Sequence, residues 1–202
     1  YSPGDQGDLS QLGWQAMVLD AGHRAEIPIT SRSVAGVQRF LKSVRTGAPG
    51  GLASYRPGES PSRTMTAEAM FCRQLMQSSS PFLIDPNSAA EATQSILEEP
   101  PSTKFRNLYF WYYATLALHG NQNQSPDAAQ AWDLWNHALT TTLLATQTED
   151  GSWNADTVWG GYGGRVYTTA LSAMCLEVYY RYSPSQGTSE MAGRKGWNSV
   201  QR

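Results

Sequence analysis

The sequence predicts an all-α protein, an array of about seven helices paired as helical hairpins. Three observations predict it. Apolar residues recur at helical spacing in seven segments, and no stretch of useful length alternates as a strand does. Four of those segments superpose in one register. Two of the helices between them run into a glycine-rich turn that carries an aromatic ring.

Leu12, Ala16 and Leu19 define a first helix that Gly22 ends. Val34, Val37, Phe40, Leu41 and Val44 form an apolar stripe on the second. The third spans 66–76, with Ala67, Met70, Phe71 and Leu75 on one face. A shorter helix over 89–97 is stopped by Pro100-Pro101. The segment 108–118 is almost wholly apolar or aromatic, the pattern of a helix buried on every side. Ser125-Pro126-Asp127 supplies an N-cap and a proline at the first position of a helix that reaches Ala145. The last helix covers 166–182, and Pro184 ends it. Residues 1–8 read as an N-terminal extension, 9–183 as the helical domain and 184–202 as a polar tail or linker.

The helices repeat. Thr66-Ala67-Glu68-Ala69-Met70-Phe71-Cys72 superposes on Thr169-Ala170-Leu171-Ser172-Ala173-Met174-Cys175, with threonine, alanine and cysteine coinciding. Tyr113 to Ala117 falls in the same frame between them, and Gln15 to Leu19 before them. The register points Gln15, Thr66, Tyr113 and Thr169 are spaced by 51, 47 and 56 residues. Such units cannot bury a face alone and must stack. The preceding helices repeat as well. Phe40 to Val44 matches Leu143 to Gln147, and each leads into a turn, Gly50 to Tyr55 and Asp150 to Trp153.

Leu143-Leu144 to Gln147, followed by Gly151-Ser152-Trp153, resembles the QW motif of squalene–hopene cyclases, oxidosqualene cyclases and protein prenyltransferase β-subunits. The resemblance implies an α/α toroid, in which outer helices lead into the glutamine–tryptophan turn and inner helices surround a cavity. It implies that Trp153 is buried between hairpins and that Gln147 hydrogen-bonds backbone near a neighbouring helix end. One copy matches fully. Val44 and Tyr55 replace the glutamine and tryptophan in an earlier copy, and Glu98-Glu99-Pro100-Pro101 replaces the turn in another. The stretches 107–114 and 164–182 resemble uncharacterised planctomycete cyclase-repeat proteins. With fewer hairpins than those toroids, the chain is expected to form an incomplete ring, or a small one without a large cavity.

Composition excludes several functions. A net charge of −2 with no basic face argues against nucleic acid. The apolar runs fall far below the ~20 residues of a membrane span. Cys72 and Cys175 lie at one register position on apolar faces and read as small core residues. No Cys–His spacing suits zinc, so no metal is assigned, and no motif calls for a cofactor. The DxDD and DDxxD carboxylate motifs of the resembled family are absent; Glu98-Glu99 and Glu149-Asp150 read as capping or solvated pairs. The glycines of 160–164 follow no strand and precede no P-loop lysine.

What remains is aromatic and polar at the helix entrances. Tyr109, Trp111 and Tyr112 enter the third inner helix, and Trp159, Tyr162, Arg165 and Tyr167 the last. In a toroid these entrances cluster at the concave mouth, where rings and a guanidinium suit a hydrophobic, glycan or peptide ligand. The alternative is that the rings fill the narrow axis of a small domain. Arg165 has two readings: pairing with Glu68 or Glu177, or facing that mouth with Trp111, Tyr112 and Trp159. The expected function is a terpenoid cyclase/prenyltransferase-like repeat domain serving as a binding or structural module of a larger bacterial protein. The alternative is an enzyme acting on isoprenoids, or one like a polysaccharide lyase. The chain opens at Tyr1 with no signal-peptide pattern, as a mature piece or excised segment would. Compartment stays open, with a cell-envelope or exported location among the options.

Overall fold

The computed structural model describes residues 6–76 and 85–181. The tail reading of 184–202, the helix end at Tyr182 and most of the N-terminal extension lie outside these residues. Of the described residues 65% are helical. The elements are α1 (Leu9–Arg24), α2 (Ser31–Ser43), β1 (Arg45–Thr46), β2 (Leu52–Ala53), α3 (Arg63–Leu75) and α4 (Pro86–Leu97). They continue with α5 (Leu108–Asn121), α6 (Pro126–Thr146), α7 (Gly160–Leu176) and α8 (Val178–Arg181).

Local chemistry sets the starts. Asp8, Thr30, Ser62, Asp85, Asn107 and Ser125 each accept a backbone N–H of the first turn through a side-chain oxygen. Such a cap is worth about 1 kcal/mol. Pro86 and Pro126 occupy first-turn positions whose N–H would find no partner in the helix. α7 starts without a side-chain cap, and Gly164 breaks it at φ 65°, ψ −167°. Its regular portion therefore begins after the glycines, where the sequence places it.

Two expectations need correction. The sequence shows no strand, yet β1 and β2 pair antiparallel, Arg45 opposite Ala53 and Thr46 opposite Leu52, with an isolated bridge from Gln147 to Trp153. Strands of two residues are too short to show alternation. The last helix is also two: it ends at Leu176, and α8 restarts at Val178.

α1, α3, α5 and α7 pack side by side in sequence order, and α2, α4 and α6 each pack on the helix before them. Among the described residues α1 and α7, the ends of the row, share no packing comparable to that between its neighbouring helices. Ten of 13 residues in α3 and 12 of 14 in α5 are buried. These two helices hold the middle of the row and are covered on most sides.

The repeat reappears as a hydrogen bond. Ala53 N–H donates to Thr66 Oγ1 at 3.1 Å, and Trp153 N–H donates to Thr169 Oγ1 at 3.1 Å. In both units the turn is clamped to the start of the next row helix by the same threonine. Ala53, rather than Tyr55, is thus the counterpart of Trp153.

Candidate functional site

The predicted aromatic mouth is not assembled. Trp111 is 1% exposed and Tyr112 is equally buried. Tyr109 is partly buried and packs its ring against Tyr113 at 5.1 Å. Trp159 is half-exposed, Tyr162 is 90% exposed, and their ring centroids lie 6.2 Å apart at a tilt of 47°. Tyr167 is half-buried, and burial pushes its hydroxyl up to about 12. The rings of α5 therefore fill the core, while Trp159 and Tyr162 face solvent.

Arg165 pairs with neither Glu68 nor Glu177. Its Nη2 donates to Asp150 Oδ2 at 2.9 Å and to Ser152 Oγ, on the surface. Hydrogen bonds from Thr148, from the Ser152 hydroxyl and backbone, and from Arg165 hold the Asp150 carboxyl well below the usual range. Gln147 also departs from expectation. Its Nε2 donates to Gly151 O at 2.9 Å within its own turn, not to a neighbouring helix. Trp153 is 4% exposed; its indole N–H donates to Leu143 O at 2.9 Å, and its carbonyl accepts from Thr168 Oγ1 at 2.8 Å. Gln147, Gly151 and Trp153 are thus a structural clasp joining α6 to α7.

Sequence reasoning missed a buried acid. Glu68 on α3 is 0% exposed, and its Oε1 lies among buried atoms without a hydrogen bond, as does the Tyr113 hydroxyl. Gly13 of α1 leaves the space both occupy: a Cβ there would collide with Glu68 Oε1 and the Tyr113 oxygen. The Tyr109 hydroxyl is 3.0 Å from Ser10 O and 3.0 Å from Glu68 Oε2. It has one proton. With that proton on the Ser10 carbonyl, a protonated Glu68 donates back to the phenol. Burial, the largest influence, raises Glu68 to about 8, so the protonated form dominates at pH 7. The free thiol of Cys72, one turn on, is pushed far up by burial and by Glu68. This cluster joins α1, α3 and α5, and Trp14, stacked on Tyr112 at 5.9 Å, stands beside it.

A groove lies on the other layer. Of about 670 Å³, it runs between α4 and α6, floored by the ends of α3 and α5. Its walls carry the carboxamides of Gln94, Gln124 and Gln130, and its floor carries Gln74 and Asn121. Ala89, Ala90, Leu97, Ala128, Ala131 and Leu134 supply the apolar part. Gln74 is fixed by its Nε2, which donates to Ala117 O at 2.8 Å. Thr93 Oγ1 is buried on the wall without a partner. Glu98, paired with Arg63 at 2.8 Å, and Asp127 are the acids of the lining. No aromatic ring is among the lining residues. Comparison with family models, curated proteins and solved structures returns no match.

Spacing could have suggested this groove. Ala90, Thr93, Gln94 and Leu97 share one face of α4, and Asp127, Gln130, Ala131 and Leu134 one face of α6. Among the described residues no group of three or more His, Cys, Asp and Glu is placed to hold a metal ion, and no helix is long and apolar enough to cross a membrane.

Proposed function

We propose that this chain is a binding module, an α/α repeat domain related to the terpenoid cyclase and prenyltransferase repeats, and that it takes an extended peptide in the groove between α4 and α6. The relationship rests on the Gln147–Trp153 turn and on the register of the row helices. The peptide reading rests on one observation: carboxamides line both walls and the floor of the groove. A carboxamide carries a donor and an acceptor side by side, as a peptide unit does, so each can pair with main chain irrespective of side chain. Leu97 and Leu134 supply apolar contact, and the two acids favour a neutral or weakly basic segment. The absence of rings from the lining disfavours a glycan stacked on an aromatic face.

The enzyme reading would draw on Glu68, a neutral acid at pH 7. Its complete burial under α1 and α5 separates it from the groove and from solvent. A peptide display selection on the folded protein decides between the readings. Selected peptides are expected to bind the native chain and to lose at least about tenfold on the Gln94→Ala/Gln130→Ala variant. Unchanged binding by that variant overturns the groove. Turnover of an isoprenoid diphosphate or a polysaccharide, with no peptide selected, overturns the module.

A further inference from the structure

We propose that residues 182–202 bind in cis in the groove between α4 and α6, where they compete with an incoming peptide. Given the reading of that groove as a peptide site, the segment is its regulator. α8 stops at Arg181, beside the groove. Its Tyr179 ring lies edge-on to His119 at 6.3 Å and to Trp132 at 6.0 Å, and the Tyr179 hydroxyl donates to Asn136 Oδ1. Gly120 and Asn121, the two residues after His119, floor the groove. Asp127, Gln130, Ala131 and Leu134 line it from the face of α6 opposite Trp132 and Asn136. The chain therefore leaves α8 one helix diameter, roughly 10–12 Å, from the groove. Residues 182–202 span at most roughly 70 Å, several times that width.

The composition of the segment fits the groove. Arg194, Lys195 and Arg202 stand against one acid, Glu190, so the segment carries +2 while the whole chain carries −2. Glu98 in the lining is already held by Arg63. Asp127 is exposed and forms no ion pair among the described residues, so it is the acid that meets Arg194 or Lys195. Leu134, 59% exposed, lies with Leu97 and Ala131 in a lining that holds no ring, and Trp197 supplies one. Gly187, Gly193 and Gly196 leave main chain uncovered, so the carboxamides of Gln94, Gln124 and Gln130 can pair with peptide units there. A covalently joined segment meets its site at an effective concentration on the order of millimolar, so modest contacts fill the groove. A peptide from another protein must displace it, which lowers that peptide's apparent affinity.

Photo-cross-linking of the full chain tests this. Ala90→p-benzoylphenylalanine, at an exposed position of the groove wall, is expected to cross-link to residues 190–200 of its own chain. Mixing with isotope-labelled chain separates links within one chain from links between two. Arg194→Glu/Lys195→Glu/Trp197→Ser is expected to lose the cross-link and to bind display-selected peptides about tenfold more tightly than the native chain. No cross-link to 182–202 overturns the proposal, and so does a link to 77–84 or to a second chain in its place. Equal peptide affinity of the two proteins overturns it as well. If that shared affinity still drops about tenfold on Gln94→Ala/Gln130→Ala, the regulation alone falls. If neither the native chain nor the triple variant binds a selected peptide, the groove reading falls with it.

Discussion

Replacing Glu68 by glutamine should change how stability responds to pH while leaving stability in mild acid nearly unchanged. In the native protein the carboxyl is neutral up to about pH 8; in the unfolded chain it ionises near 4.5. Below pH 4.5 both states hold the proton, and the contribution of the group is fully present. Between 4.5 and 8 the native state keeps a proton that the unfolded state has lost, so stability falls by about 1.4 kcal/mol for each pH step of one. Across the window that is roughly 5 kcal/mol, comparable with the whole stability of many domains. Glutamine keeps the volume, and its Nε2–H can donate to the Tyr109 oxygen as the protonated acid does. Glu68→Gln should therefore lie within about 1 kcal/mol of the native protein at pH 5, and be the more stable of the two by several kcal/mol at pH 9. Urea denaturation of both proteins at intervals from pH 5 to 9 measures the difference. Parallel stability curves would refute the reasoning, because they would mean that Glu68 binds no extra proton on folding.

Other substitutions test the clasp and the repeat. Trp153→Ala should cost roughly 3–5 kcal/mol by denaturant unfolding, since it empties a buried site and frees the Leu143 carbonyl. Gln147→Ala, which removes one exposed hydrogen bond within a turn, should cost less than about 1 kcal/mol in the same assay. Arg165→Met should move the melting temperature little, because half-exposed ion pairs contribute about 0–1 kcal/mol, and peptide binding in the groove should be unaffected. Thr66→Val and Thr169→Val should each cost about 1–3 kcal/mol by leaving a turn N–H unpaired. Equal losses in calorimetric scans would mark the two clasps as equivalent. Gly13→Ala should destabilise by several kcal/mol in thermal unfolding, and a fully stable variant would mean that Glu68 does not occupy the space beside α1.

Much of the fold is legible along the chain. Ser125-Pro126 announces a helix start through a hydrogen bond that reaches only three residues, whereas the expected start at Ala89 falls one turn late, α4 beginning at Pro86 behind the Asp85 cap. The threonine register of 66 and 169 marks the row helices, and both threonines receive the N–H of the preceding turn. The burial of Trp153 follows from its place in that turn. All of this depends on residues near one another in sequence, so pattern and propensity suffice.

The sites were not legible, for a different reason. The protonated state of Glu68 comes from its burial beneath α1 and α5, whose Tyr109 is 41 residues away from the acid. A glutamate amid alanine and methionine carries no local sign that a phenol and a missing side chain await it. The aromatic residues make the same point. Leu108 to Leu118 and the start of α7 share a register and an abundance of rings, so the sequence suits one mouth or one filled axis equally. Tertiary structure separates them. α5 lies in the middle of the row with a helix on every flank, and its rings become core. α7 ends the row, so Tyr162 and Val166 reach solvent. Position in the row decides burial, and only packing between distant helices sets that position.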